Sequence, residues 1–242
     1  MDILITGASR GIGRAIATRL AGPHSRILFS YLQNEAAAQE TCRMIQEAGG
    51  TAKAVQSDVR SPDALRALVE HATQWFGGLD VLIHNAAIGA LKPMNTMRTN
   101  QWDLTLESSL RPFWLLSKLC LPLLREQSQI IGLSSLGSRQ FTPGYAAMGA
   151  AKGGMEALTR QLAVELAPKT RVNTVCGGLV DTDAIRHIPG FEKLTKDVAQ
   201  ATPMGRIATP QDIAGAVAVL LSSDARWING HVLVADGGFS CV

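Results

Sequence analysis

The sequence predicts a doubly wound α/β fold, a parallel sheet of seven strands covered by helices on both faces. Three observations carry that expectation. Short apolar runs alternate with longer stretches of helical period along the whole chain. The residues just after several runs are Gly, Asp, Asn or Ser, types that turn a chain or meet a ligand. The 242 residues, 46% hydrophobic and 18% charged, are enough to bury one large core.

In chain order, strands are expected at 3–5, 27–30, 52–56, 81–84, 130–134, 172–176 and 232–235, each a short aliphatic run. Between them, apolar residues recurring at helical spacing predict helices over roughly 11–22, 35–48, 62–76, 100–125, 145–167 and 210–223. No repeat, low-complexity tract or interdomain linker interrupts this order, so 1–242 reads as a single domain. Segment 183–209 has no strand and contains Pro189, Gly190, Pro203 and Gly205, which reads as a lid.

Composition excludes several classes. The net charge of +3, without a run of Lys or Arg, speaks against nucleic acid and suits small anionic ligands or acidic partners. Cys42, Cys120, Cys176 and Cys241 are scattered, with neither zinc spacing nor a disulfide framework, so no metal is expected and all four read as free thiols of a reducing cytoplasm. No cleavable leader and no run of about 18 apolar residues is found, so neither secretion nor a membrane span is expected.

In such sheets ligands sit beyond the carboxyl ends of the strands. Thr6-Gly7-Ala8-Ser9-Arg10-Gly11-Ile12-Gly13 follows the first strand, and its Gly-x3-Gly-x-Gly spacing lets backbone approach a pyrophosphate at a helix N-terminus. A tight strand-to-helix connection would use the same glycines. Asp58-Val59 ends the third strand, where the carboxylate can accept from an adenine amino group, and Asn85-Ala86-Ala87 ends the fourth. Singly, Asp58 reads equally well as a helix cap and Asn85 as a turn residue. The second strand ends Ser30-Tyr31-Leu32-Gln33, with no acid before Glu35 to hold ribose hydroxyls, while Arg10 can pair with a 2′-phosphate. NADPH is expected over NADH.

Ser134-Ser135 closes the fifth strand, and Tyr145 opens a helix containing Lys152. A phenol has a free pKa of about 10, and a nearby ammonium helps it give up a proton. A half-buried helix start and a solvated lysine are the plainer alternatives.

Together the TGASRGIG turn, Asn85-Ala86-Ala87 and Asp236-Gly237-Gly238 resemble the short-chain dehydrogenase/reductase family over essentially the whole chain, which implies a Rossmann-type oxidoreductase. Ketone-reducing members place Tyr four residues before Lys, where this chain has Met148. Tyr145 stands seven before Lys152, two turns away at nearly the same azimuth. In enoyl reduction the hydride lands two carbons from the carbonyl oxygen, so a displaced donor suits conjugate reduction. Ser135-Leu136-Gly137-Ser138, Gly177-Gly178 and Asp181-Thr182-Asp183-Ala184 resemble most closely the NADPH-dependent enoyl-acyl-carrier-protein reductase III group.

That resemblance implies that Tyr145 orients and protonates the substrate, and that Lys152 binds the nicotinamide ribose and lowers the phenol's pKa. It also places Thr182 on the carboxamide or pyrophosphate. Gly178 and Val180, with Ile12, Tyr31 and Val59, complete the implied cofactor set. Ser135 matches the family's catalytic serine by its distance from Met148, or stands as a pocket wall. Ser109 replaces the asparagine of the family's proton relay, and Gly177 stands where many relatives carry proline.

Ile88 to Met94, with Ile185, Ile188, Phe191, Leu194 and Met204 of the lid, form either a tunnel for an acyl chain or a small core of the lid's own. Arg186, His187, Lys193, Lys196 and Arg206 face an acyl carrier protein or simply solvent. The small residues after Tyr145 fit subunit pairing, a homotetramer first and a dimer second. A ketone or 3-oxoacyl reductase and a noncatalytic dinucleotide sensor stay open beside the enoyl reading.

Overall fold

The structure is a computed structural model that describes residues 1–186 and 190–242. His187, Ile188 and Pro189, expected in the lid, lie outside the described residues. Seven strands form one sheet: β1 (Asp2–Thr6), β2 (Arg26–Tyr31), β3 (Thr51–Gln56), β4 (Leu79–His84), β5 (Leu124–Ser135), β6 (Thr170–Gly177) and β7 (Val232–Ala235). All pairings are parallel, in the order β3-β2-β1-β4-β5-β6-β7, so the chain reverses its direction of travel across the sheet between β1 and β4.

Side chains alternate between the faces with period two, which divides the interior into two cores. Ile3, Ile5, Ile27, Phe29, Ile83 and Val175 pack under α1 (Gly11–Leu20), α2 (Glu35–Glu47) and α8 (Pro210–Leu221). Leu4, Leu28, Leu82, Ile130 and Val172 pack under α3 (Pro62–Phe76), α4 (Thr99–Cys120) and α5 (Ala146–Glu165). Burying each such aliphatic side chain contributes about 1.5–3 kcal/mol, and helices pack on both faces of the sheet.

All seven expected strands are present. The fourth helix stops at Cys120, five residues before the expected 125, because Pro122 has no N–H for another helical bond, and β5 begins at Leu124. The strandless segment is helical in part: α6 spans Asp183–Arg186 and α7 spans Phe191–Ala201, with no residue of either fully buried.

The helix starts differ in a way that positions the site. Asn34, Ser61 and Thr209 each accept from the backbone N–H three residues on, at 2.9, 3.2 and 3.3 Å, which caps α2, α3 and α8. Arg10 stands at the N-cap of α1 with no side-chain cap bond, so the N–H groups of that first turn face outward.

Candidate active site

A cleft of about 600 Å³ opens beyond the carboxyl ends of β1, β2, β3 and β4. Of the expected dinucleotide residues, Gly7, Ser9, Arg10, Gly11, Ile12, Tyr31, Asp58, Val59, Asn85, Ala86, Ala87 and Thr182 line it. A Cβ on Gly11 would stand 3.6 Å from the Thr182 methyl, so the missing side chain keeps open the gap between the start of α1 and the far wall. The Arg10 guanidinium has no ion-pair or hydrogen-bond partner among the described residues. An open helix N-terminus, an uncommitted cation and a glycine-lined gap fit the pyrophosphate of a dinucleotide.

Three expected members stand behind the cleft. Gly13 packs against Gly7 O, where a Cβ would approach to 2.4 Å. Gly178 abuts Asp236, and Val180 is buried beside Ile213 in the core while pairing with Ala208. These residues shape the walls from behind. Asp58 is at the cleft but already engaged: its carboxylate accepts from the backbone N–H of Arg60 at 2.9 Å and from the Arg60 guanidinium at 2.5 and 3.0 Å. The Arg60 hydrogen bonds hold the Asp58 carboxyl below its usual range.

Sequence reasoning missed what ties the cleft together. His84, fully buried at the end of β4, donates from Nε2 to the Ser109 carbonyl at 2.9 Å, since a carbonyl can only accept. Its Nδ1 therefore accepts from the Thr6 hydroxyl at 3.1 Å. Thr6 Oγ1 accepts in turn from the N–H groups of Asn85 and Ala86, both at 3.1 Å. The Asn85 amide donates to the carbonyls of Thr6 and Gly7 at 3.1 and 2.8 Å. Burial, reinforced by the charge of Lys152, pushes His84 down to about 3, so the ring is neutral near pH 7.

Tyr145, Lys152 and Ser135 are not among the described residues that line this cleft: Tyr145 is the N-cap of α5, Lys152 lies two turns inward and Ser135 ends β5. Lys152 is 6% exposed and donates to the Leu133 carbonyl of β5 at 2.6 Å. Burial pushes this ammonium down to about 8, while Cys176 pulls the other way. The phenol of Tyr145 is raised by burial, with the Ser135 hydroxyl opposing and Cys176 adding to the rise. The depression expected from Lys152 is therefore not realised, because the ammonium is turned to the sheet backbone. A neutral phenol that keeps its proton near pH 7 remains competent as a donor.

The place one turn before Lys152 is filled. Met148 is 8% exposed, and Ser109 directs its hydroxyl at the Met148 sulfur at 3.9 Å. The Ser109 carbonyl is held by His84, so neither polar group of Ser109 is directed at Lys152. The Tyr145 ring lies over Gly137, where a Cβ would meet its Cδ1 at 2.3 Å. Gly137 thus forms the bed of the tyrosine, a role its place in the motif did not reveal.

On the outer segment, Arg186 pairs with Asp181 and Asp183, Lys193 with Asp197, and Arg206 with Asp212. Among the described residues, no three His, Cys, Asp or Glu side chains converge as a metal site, and no helix is long and apolar enough to cross a membrane.

Comparison with known proteins agrees with this geometry. The family described as Enoyl-(Acyl carrier protein) reductase matches residues 7–240. The 1-cyclohexenylcarbonyl-CoA reductase of Streptomyces collinus is 38% identical over 99% of this chain and 86% of its own length. The 3beta-hydroxysteroid dehydrogenase 1 of Eggerthella lenta is 32% identical over 98% of this chain and 93% of its own. The short-chain dehydrogenase/reductase from Serratia marcescens BCRC 10948 superimposes with a TM-score of 0.93, at 30% identity over 99% of this chain and 97% of that one. A matching family, whole-length relatives and a shared fold lead to one conclusion: the chain belongs to the short-chain dehydrogenase/reductase family, oxidoreductases built to bind a nicotinamide dinucleotide.

Proposed function

We propose that the protein uses NADPH to reduce the carbon–carbon double bond of a trans-2-enoyl thioester, delivered by an acyl carrier protein. The observation that carries this reading is the buried Met148 one turn before Lys152, where a ketone-reducing relative would have its phenol; on this reading Tyr145, two turns from Lys152, is the proton donor. The relative from Streptomyces collinus supports it, since 1-cyclohexenylcarbonyl-CoA is itself a conjugated enoyl thioester by name.

The start of α1, with Ser9 to Ile12, would hold the pyrophosphate, Arg10 the 2′-phosphate, and Thr182 the carboxamide or pyrophosphate. When bound, the reduced nicotinamide supplies a hydride. Tyr145 donates its proton to the thioester carbonyl oxygen as negative charge gathers there, which lowers the barrier at the β-carbon. Lys152, protonated below about pH 8 and anchored on the Leu133 carbonyl, would hold a ribose hydroxyl with its remaining N–H groups. Ser135, at the end of β5 next to the Tyr145 hydroxyl, orients that hydroxyl. α6 and α7, together with Ile88 to Met94, would close over the acyl chain.

Replacing Tyr145 by Phe tests this reading. Wild type should consume NADPH with a trans-2-enoyl thioester, and the variant should lose at least about tenfold in kcat, or about 1.4 kcal/mol of barrier. Turnover of a 3-oxoacyl thioester with the enoyl substrate inert would overturn it. That outcome would favour ketone reduction, the second reading, which the Eggerthella lenta relative and the Ser135 hydroxyl beside Tyr145 support.

A further inference from the structure

Behind the Tyr145 bed lies a buried carboxylate that the chemistry above does not use. Glu156 sits one turn beyond Lys152 on α5 and is 5% exposed. One of its oxygens accepts from the hydroxyls of Ser134 at 2.7 Å and Ser138 at 2.6 Å, and the other accepts from Arg139 Nε at 2.9 Å. Those three donors bracket Ser135, Leu136 and Gly137. A single carboxylate therefore grips both ends of the arc that carries the Ser135 hydroxyl and the Gly137 bed.

The same helix meets the arc from the other side. A Cβ on Gly149 would stand 2.6 Å from Gly137 O, and the Tyr145 ring rests on Gly137 itself. The height of the arc thus sets the position of the phenol. A buried charge tends to be kept only where its hydrogen bonds are complete, and a carboxylate with three donors meets that condition.

We propose that Glu156 is a positioning residue: its carboxylate clamps the Ser135–Gly137 arc so that the Ser135 hydroxyl and the Tyr145 phenol share one orientation. This rests on the reading of Tyr145 as the proton donor. Glu156→Gln preserves shape and can still accept from the two serines, but its amide N–H opposes the Arg139 N–H.

The test is kcat on a trans-2-enoyl thioester for wild type, Glu156→Gln, Tyr145→Phe and the double variant. Glu156→Gln should lower kcat about tenfold, with KM and NADPH affinity within about twofold of wild type, a size suited to one lost charge-assisted hydrogen bond. In the Tyr145→Phe background the same change should cost nothing further. Adding Arg139→Gln to Glu156→Gln should return part of the lost rate, which a merely structural carboxylate would not allow. Should Glu156→Gln fail to fold by circular dichroism, Ser138→Ala takes its place, with a loss of about threefold that again vanishes beside Tyr145→Phe. Wild-type kcat in Glu156→Gln, or an equal loss in both backgrounds, overturns the clamp while leaving Tyr145 as donor. Full activity of Tyr145→Phe alone overturns the donor reading, and the clamp with it.

Discussion

At the scale of single residues, Arg10 and His84 differ in what surrounds them. Arg10 is exposed at the cleft and uncommitted among the described residues, and the proposed reading gives its guanidinium to the 2′-phosphate. Arg10→Ala should therefore weaken NADPH binding by about 10- to 100-fold, the scale of one or two charge-assisted hydrogen bonds, and leave NADH affinity nearly unchanged. Equal losses for both nucleotides in a fluorescence titration would refute the 2′-phosphate assignment. His84 is the opposite case, fully buried and neutral. Its folded pKa near 3 lies below the ordinary 6.5, so as pH falls through that interval the unfolded chain takes up a proton that the folded one refuses. The associated stability is complete above about pH 6.5 and declines by up to about 1.4 kcal/mol per pH unit below it. His84→Asn should flatten that acid slope in denaturant titrations between pH 6.5 and 4.5. Parallel slopes for the two proteins would show that His84 is not the group responsible.

At the scale of elements, the junction of β5 and α5 decides where the chemistry stands. Gly137→Ala would drive a methyl to within 2.3 Å of the Tyr145 ring, so the ring must shift. The expected outcome is a loss of more than about tenfold in kcat and about 1–3 kcal/mol in stability, with nucleotide binding retained. An alanine variant of normal kcat would show the bed to be irrelevant. This junction also marks the limit of what the sequence made legible. The glycine turn and Asn85 stand directly after strand ends, so their place on the cleft follows from the sequence. The clamp of Glu156, the tether of His84 and the capture of Asp58 by Arg60 follow from which strand lies beside which helix, and no local pattern encodes that. The end of the fourth helix was overrun for a related reason: the apolar period continues through Leu121 to Leu124, while Pro122 has already broken the hydrogen-bond ladder.

At the scale of the whole molecule, the alternation of strands and helices was plain because each apolar run is bounded by turn residues, and strict βα order admits few topologies. Subunit pairing was less legible. Several of the small residues that suggest it serve the chain's own packing: Ala147 and Ala151 are buried, and Gly154 abuts Leu110 of α4. Exposed apolar side chains remain on both helices, Trp114 of α4 at 46% and Val164 of α5 at 80%. We expect a homotetramer, with Trp114→Glu and Val164→Glu each lowering the mass measured by light scattering. A wild-type protein of single-chain mass at micromolar concentration would refute that. Finally, α7 lends no buried side chain to either core, whereas the walls around Gly7, Arg10 and Asn85 are anchored in the sheet. On the proposed reading, acyl-chain choice and coenzyme binding rest on separately anchored parts of the molecule. A chimera carrying a relative's Phe191–Ala201 stretch should then change which acyl chain is accepted and leave coenzyme affinity as it was.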